Sequence, residues 1–233
     1  MDEEQIRPLV SKLVDDKLKA FFGFNDMPCD GGDLQKFSRI AATVDSAIYV
    51  QNNMADKPVF GSRELLTYAL EQAKVSGLIL EFGVFSGSTI NHIASLTEQN
   101  VFGFDSFEGL PEDWRPDIPK GAFATSLPEV RPNVRLVKGY FDDSLPNFLN
   151  TYTDCISFMH VDCDLYSSTK IIFDLCGRRL KNGTIIVFDE YFNYVGWRDH
   201  EYKAFHEFIS SQNIEYEYIG YVPYHQQVAV RIL

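Results

Sequence analysis

Leu78-Ile-Leu-Glu-Phe-Gly-Val-Phe-Ser-Gly87, followed by Ser88-Thr89-Ile90, is the stretch whose reading decides the fold. Residues 77–82 are apolar and rich in large aliphatic side chains, which predicts a buried parallel strand. From Gly83 to Gly87 the chain turns. Ser88 or Thr89 is then placed to cap a helix that continues through Ile90, Ile93 and Ala94. A strand, a glycine turn and a helix N-terminus make a ligand cradle, because glycine has no Cβ to hold a ligand away from backbone N–H groups. Glu81 falls near the carboxyl end of the strand, where open α/β sheets bind ligands.

What the cradle holds is narrowed by elimination. A dinucleotide fingerprint needs Gly-x-Gly-x-x-Gly, and a P-loop needs Gly-Lys-Ser/Thr; the chain has Gly83-x-x-x-Gly87 followed directly by Ser88. No lysine is placed to meet a phosphate, and Glu81 is an acid, so a ligand carrying positive charge suits the turn better than a pyrophosphate. The pattern Glu81-x-Gly83-x-x-x-Gly87 resembles the first motif of class I S-adenosylmethionine-dependent methyltransferases. An ordinary βα turn with two glycines by chance is the competing reading. The resemblance implies cofactor contacts from Glu81, Gly83, Phe85, Ser86, Gly87 and Ser88.

Outward from this stretch, strand signals follow at residues 101–105, 134–138, 155–161 and 184–188, with a helix at 167–180 closed by Lys181-Asn182-Gly183. The alternation predicts a parallel sheet with helices on both faces. A helix at 199–211 precedes two period-two segments, 214–218 and 228–232, read as late strands of which at least one is antiparallel. Such a closing pair on a Rossmann-like, mostly parallel seven-stranded sheet is what class I methyltransferases have. Upstream, helices are expected at 1–22, from the cap Asp33 through Ile48, and at 63–75 after Ser62. Residues 1–60 are too short and too striped to stand alone, so they are read as a helical extension, a cover or an edge support for a domain spanning 61–233.

Composition bounds the function. The net charge of −12 argues against nucleic acid, whose binding rests on phosphate neutralisation. No apolar run approaches the roughly 20 residues that cross a bilayer. The acidic start Met1-Asp2-Glu3-Glu4 lacks the basic and apolar regions of a signal peptide, and Cys29, Cys155, Cys163 and Cys176 show no Cys-x-x-Cys spacing. A cytoplasmic protein with reduced thiols and a small-molecule substrate is expected; a homo-oligomer is left open.

Asp105 ends the second strand, about 20 residues past the glycine turn, where an acid hydrogen-bonds ribose hydroxyls. Ser106 and Phe107 follow it. After the third strand, Gly139 permits close approach, Tyr140 or Phe141 can stack on a purine, and Asp142 or Asp143 can meet an adenine amino group. Asp and Ser residues here also start helices, with Pro146 suited to a first turn. The fourth strand ends in His160-Val-Asp162-Cys-Asp164 and the fifth in Asp189-Glu190. Acids gathered at one sheet edge repel unless a cation or proton intervenes, and oxygen ligands suit Mg²⁺ or Ca²⁺. Acidic helix caps are the alternative.

The strings 80–90, 104–111, 162–169 and 188–191 together resemble the macrocin O-methyltransferase family, over roughly residues 77–208. The resemblance implies O-methylation of a sugar or other natural-product hydroxyl, with S-adenosylmethionine and Mg²⁺ as cofactors. It implies Asp162, Asp189 and Glu190 as metal ligands and Asp162 as a candidate base; read from the residues, His160, His200 and His206 are the histidine alternatives. Glu190 stands where that family has a second Asp, and its longer arm puts its coordination in question. A metal-independent small-molecule methyltransferase and an inactive cofactor-binding relative are the alternatives.

Overall fold

The computed structural model describes residues 33–233, together with Lys12, Leu13 and Lys17. Apart from those three positions, the helix expected over 1–22 and the loop that follows lie outside the described residues. Seven strands, β1 (Leu78–Phe82), β2 (Val101–Asp105), β3 (Val134–Lys138), β4 (Ile156–Val161), β5 (Ile185–Phe188), β6 (Tyr216–Tyr221) and β7 (Val228–Ile232), form one sheet. Their order is β3-β2-β1-β4-β5-β7-β6. β7 runs antiparallel to both β5 and β6, and the other pairings are parallel.

Among the described residues, six α-helices accompany the sheet: α1 (Leu34–Asn53), α2 (Ser62–Gln72), α3 (Ser88–Ser95), α4 (Phe141–Thr151), α5 (Tyr166–Cys176) and α6 (Glu201–Gln212). Every residue of β1, β4 and β5 is buried, as strands covered on both faces require. Alternation then sorts them into two cores. Leu80, Phe82, Met159, Val161, Ile186 and Phe188 belong to one core, and Ile79, Phe158, Ile185 and Val187 to the other.

The sheet layout follows the sequence reading closely; several helix ends do not. α1 is capped by Asp33, which accepts from Gln35 N and Lys36 N at 3.0 and 3.2 Å. α2 is capped at Gly61 rather than Ser62, because Glu64 reaches back to accept from Gly61 N at 2.7 Å, and it ends at Gln72 rather than 75. Neither Ser88 nor Thr89 caps α3: Gly87 does so with its backbone, at φ +79°. α5 stops at Cys176, where residues Gly177–Arg179 tighten into a 3₁₀ turn and Arg179 reaches the carbonyls of Tyr152 and Asp154. α6 starts at Glu201, after another 3₁₀ turn at Trp197–Asp199. Pro146 lies inside α4 rather than in its first turn, which Asp142 and Asp143 occupy.

Candidate active site

The carboxyl ends of β1, β2, β3 and β4 open into a cavity of about 580 Å³. Gly83 makes this possible. At φ +91° it leaves β1 so close to β4 that a Cβ would sit 1.7 Å from the carbonyl oxygen of Asp162. No side chain fits there, and the turn can cross the end of β4 only as glycine.

Of the residues expected to meet a cofactor, Gly83, Phe85, Asp105, Ser106, Gly139, Tyr140, Phe141 and Asp162 line the cavity. Glu81, Ser86, Gly87, Ser88 and Phe107 do not. Glu81 is wholly buried behind the turn, and Phe107 is also buried. Asp105 organises the cradle as well as lining it. Its Oδ2 accepts from Val84 N and Phe85 N at 2.9 and 2.8 Å, and its Oδ1 accepts from Phe107 N at 2.7 Å. Both oxygens expected at ribose hydroxyls thus also hold the backbone on either side.

Loop residues between β2 and β3 close over the cavity. Gly109, Leu110, Pro111, Glu112, Trp114 and Phe123 line it from this side, and Phe85 and Phe123 meet edge to face at 5.9 Å. The guanidinium of Arg115 lies 3.6 Å from the centre of the Trp114 ring and 4.0 Å from that of Tyr194, and donates to Gln226 Oε1 at 3.1 Å. One cation thereby joins the loop to the segments after β5 and β6. Ser167, Ser168 and Ile171 of α5 complete the wall.

At one end of the cavity the acids gather as the strand order predicts. Asp162, Asp164 and Glu190 line it. Asp189 N donates to Val161 O at 2.9 Å, which sets the β5 end beside the β4 end. One ligand atom each from His160, Asp162 and Asp189 lie within 4.8 Å of one another. Glu190 is not in that set. His160 is wholly buried and bonded to Glu81 at 2.9 Å, beneath the cavity rather than in its wall.

The electrostatics follow from burial. Desolvation, then the charge of Asp189, raises the Asp162 carboxyl well above its usual range. Burial and the neighbouring Asp189 and Asp162 do the same to Glu190. Burial pushes Asp164 up to about 7, with Arg115 opposing it. Asp189 goes the other way: burial works to raise it, but His160 and Gln227 together hold it below the usual carboxylate range. His160 is raised despite its burial, because Asp189 and Glu81 favour the imidazolium.

Two residues of this edge went unforeseen in the sequence. Glu201 opens α6, yet it is wholly buried and accepts from Cys163 N at 3.3 Å and Glu190 N at 3.1 Å, bracing the ends of β4 and β5. Its burial, with Asp164 nearby, pushes it up to about 8. Gln227, buried just before β7, donates to Asp189 Oδ1. His200 and His206 are not in the cavity wall.

Residues 80–191 match the family model described as a methyltransferase domain. A curated relative from Streptomyces olivaceus, 8-demethyl-8-(2,3-dimethoxy-alpha-L-rhamnosyl)-tetracenomycin-C 4'-O-methyltransferase, is 30% identical over 155 residues. That match covers 54% of this chain and 58% of the relative's length. Among solved structures, the calicheamicin methyltransferase CalS11 is similar with a TM-score of 0.62 and 22% identity, covering 72% of this chain and 77% of that one. The O-methyltransferase NovP gives 0.58 and 21%, covering 72% and 78%. At these identities the two structures speak for the fold alone: the chain shares the Rossmann-like fold of these methyltransferases. No helix among the described residues is long and apolar enough to cross a membrane.

Proposed function

We propose that the chain is an S-adenosylmethionine-dependent O-methyltransferase acting on a hydroxyl of a sugar or another natural-product small molecule, with a divalent ion. The observation that carries this is one continuous cavity running from the glycine turn and Asp105 to the acids at the ends of β4 and β5. The tetracenomycin relative, by its name, methylates a sugar hydroxyl.

The residues fit both groups. The glycine turn offers the approach that a side chain would block, and Tyr140 and Phe141 offer aromatic surface beside Gly139. At the acidic end, three ligand atoms lie close together, Glu190 Oε2 is buried without a hydrogen-bond partner, and burial followed by mutual repulsion raises the Asp162 and Glu190 carboxyls. Such a set is relieved by a divalent cation. When bound, S-adenosylmethionine supplies an electrophilic methyl group and a divalent ion supplies Lewis acidity toward an alcohol oxygen. Asp162 is the proposed base, since it sits where the cofactor end meets the acids and can take the alcohol proton. Asp162, Asp189 and Glu190 are the acids that can hold the ion, and His160 stands behind them.

The loop carrying Trp114 and Phe123 lines the same cavity. The helical extension, residues 1–60, is proposed as a cover. Its described part is tied to the segment after β5: Asn193 N donates to Ser46 Oγ at 2.8 Å and Trp197 Nε1 to Asp45 Oδ2 at 3.0 Å.

Calorimetry with S-adenosylmethionine and S-adenosylhomocysteine tests the reading, and no binding of either at millimolar concentration refutes it. In Asp162→Asn, cofactor affinity is expected to persist while transfer of labelled methyl to a glycosylated acceptor falls by about 10²–10⁴-fold. An undiminished rate rules out the role of Asp162.

A further inference from the structure

α1 contributes no residue to the cavity wall, and Ser46 alone of its residues is buried. Its grip on the rest of the chain is nonetheless specific. Asp45 Oδ2 accepts from Trp197 Nε1 at 3.0 Å and from Arg198 Nε at 3.1 Å, and Oδ1 accepts from Arg198 Nη2 at 3.0 Å. Ser46 Oγ accepts from Asn193 N at 2.8 Å. Tyr49 meets Trp197 edge to face at 5.4 Å. All three residues meet one segment, 193–198, which passes through the left-handed region at Asn193 (φ +67°) and Gly196 (φ +81°). A non-glycine residue keeps such a backbone only where its surroundings hold it.

Tyr194 is buried between those anchors. Its hydroxyl donates to Glu190 O at 3.2 Å, and its ring centre lies 4.0 Å from the Arg115 guanidinium. Arg115 in turn covers Trp114, which lines the cavity as Glu190 does. A chain of contacts therefore runs from α1 through residues 193–198 and Tyr194 to Glu190 on one side and to the loop 106–124 on the other. The cofactor end is held differently, by the Gly83 turn and the three amides on Asp105.

We propose that α1 sets the acceptor end of the cavity from outside it, with Asp45 and Ser46 as positioning residues that act through Tyr194 on Arg115 and the loop. The inference rests on the methyl-transfer reading for what that end receives, and it says how the described helix of the cover reaches the site.

Hydrogen exchange read by mass spectrometry on the ligand-free full chain tests it. In Asp45→Ala, exchange is expected to rise about tenfold in residues 191–198, where bonds to a charged group are lost. It should also rise about two- to tenfold in residues 106–124, to which Asp45 makes no bond. When Asp45→Ala is added to Arg115→Met, the loop should exchange within about 1.5-fold of Arg115→Met alone, because the route is already cut. S-adenosylhomocysteine affinity in Asp45→Ala should stay within about threefold of wild type, since the two ends are held separately. Should Asp45→Ala not fold, Ser46→Ala, which removes the bond from Asn193 N, is read in the same way. An unchanged loop beside a faster 191–198 overturns the proposal. So does an effect on the loop that is equal with and without Arg115, or faster exchange throughout the sheet. Failure of wild type to bind S-adenosylhomocysteine refutes the methyl-transfer reading instead, and the ligand-free exchange result stands apart from it.

Discussion

Asp105→Asn separates two roles that one carboxylate can play. If Asp105 serves only as a ribose acceptor, the ligand-free protein should not notice the change. The geometry says otherwise: its two oxygens accept from the amides of Val84, Phe85 and Phe107. An asparagine keeps one acceptor oxygen. Aimed at Val84 and Phe85, it preserves that pair but turns an NH₂ group toward the Phe107 N–H, so one charge-assisted bond becomes a donor facing a donor. Hydrogen bonds to charged groups contribute about 1.5–3 kcal/mol, so the loss should be about 2 kcal/mol. For a chain of this size, that corresponds to a fall in Tm of roughly 4–8 °C. Differential scanning calorimetry of the ligand-free protein measures it, and S-adenosylmethionine affinity should fall in the same variant because the turn is no longer held. A ligand-free Tm within about 1 °C of wild type would refute the organising role and leave only direct contact with the cofactor.

Gly83→Ala places a Cβ against the carbonyl oxygen of Asp162 at a positive φ, and a loss well above about 3 kcal/mol is expected in urea denaturation; a cost under about 1 kcal/mol contradicts the close crossing. His206 is lowered to about 4 by burial and by Arg198. The unfolded chain therefore binds the extra proton first, and stability is lost as pH falls from about 6.5 toward 4. In His206→Gln the drop in Tm between pH 7 and pH 5 should be smaller than in wild type, and an equal drop dismisses the contribution. Arg115→Met keeps much of the packing but removes two cation–π contacts and the bond to Gln226. Faster hydrogen exchange across residues 106–124 is expected with little change in the sheet; unchanged exchange means the loop is held by other contacts.

The sheet was legible because its strands are buried on both faces and therefore read as short, continuous apolar runs. β2, β3 and β7 fall on the residues expected, and the other parallel strands start one residue late. The end of α5 was less legible because a side chain there bonds to residues distant in sequence. Arg179 reaches across 27 residues to Tyr152. No local pattern contains that partner.

The candidate site divides along the same line. Residues at strand ends, such as Asp105, Asp162 and Asp189, could be read in sequence, because topology alone fixes where the end of a parallel strand goes. The groups that tune those acids come from elsewhere. Glu201 sits at the start of a helix, where a carboxylate ordinarily complements the dipole in water. Burial between the ends of β4 and β5 turns the same residue into a brace with a raised pKa. Arg115, from the loop after β2, opposes the burial that raises Asp164. His160, the histidine alternative for the base, lies beneath the wall, where Nδ1 meets Glu81 at 2.9 Å and Nε2 faces Asp189 at 3.5 Å. The register of β1 against β4 sets Glu81 beside His160, and residues 79 apart in sequence carry no local sign of that contact.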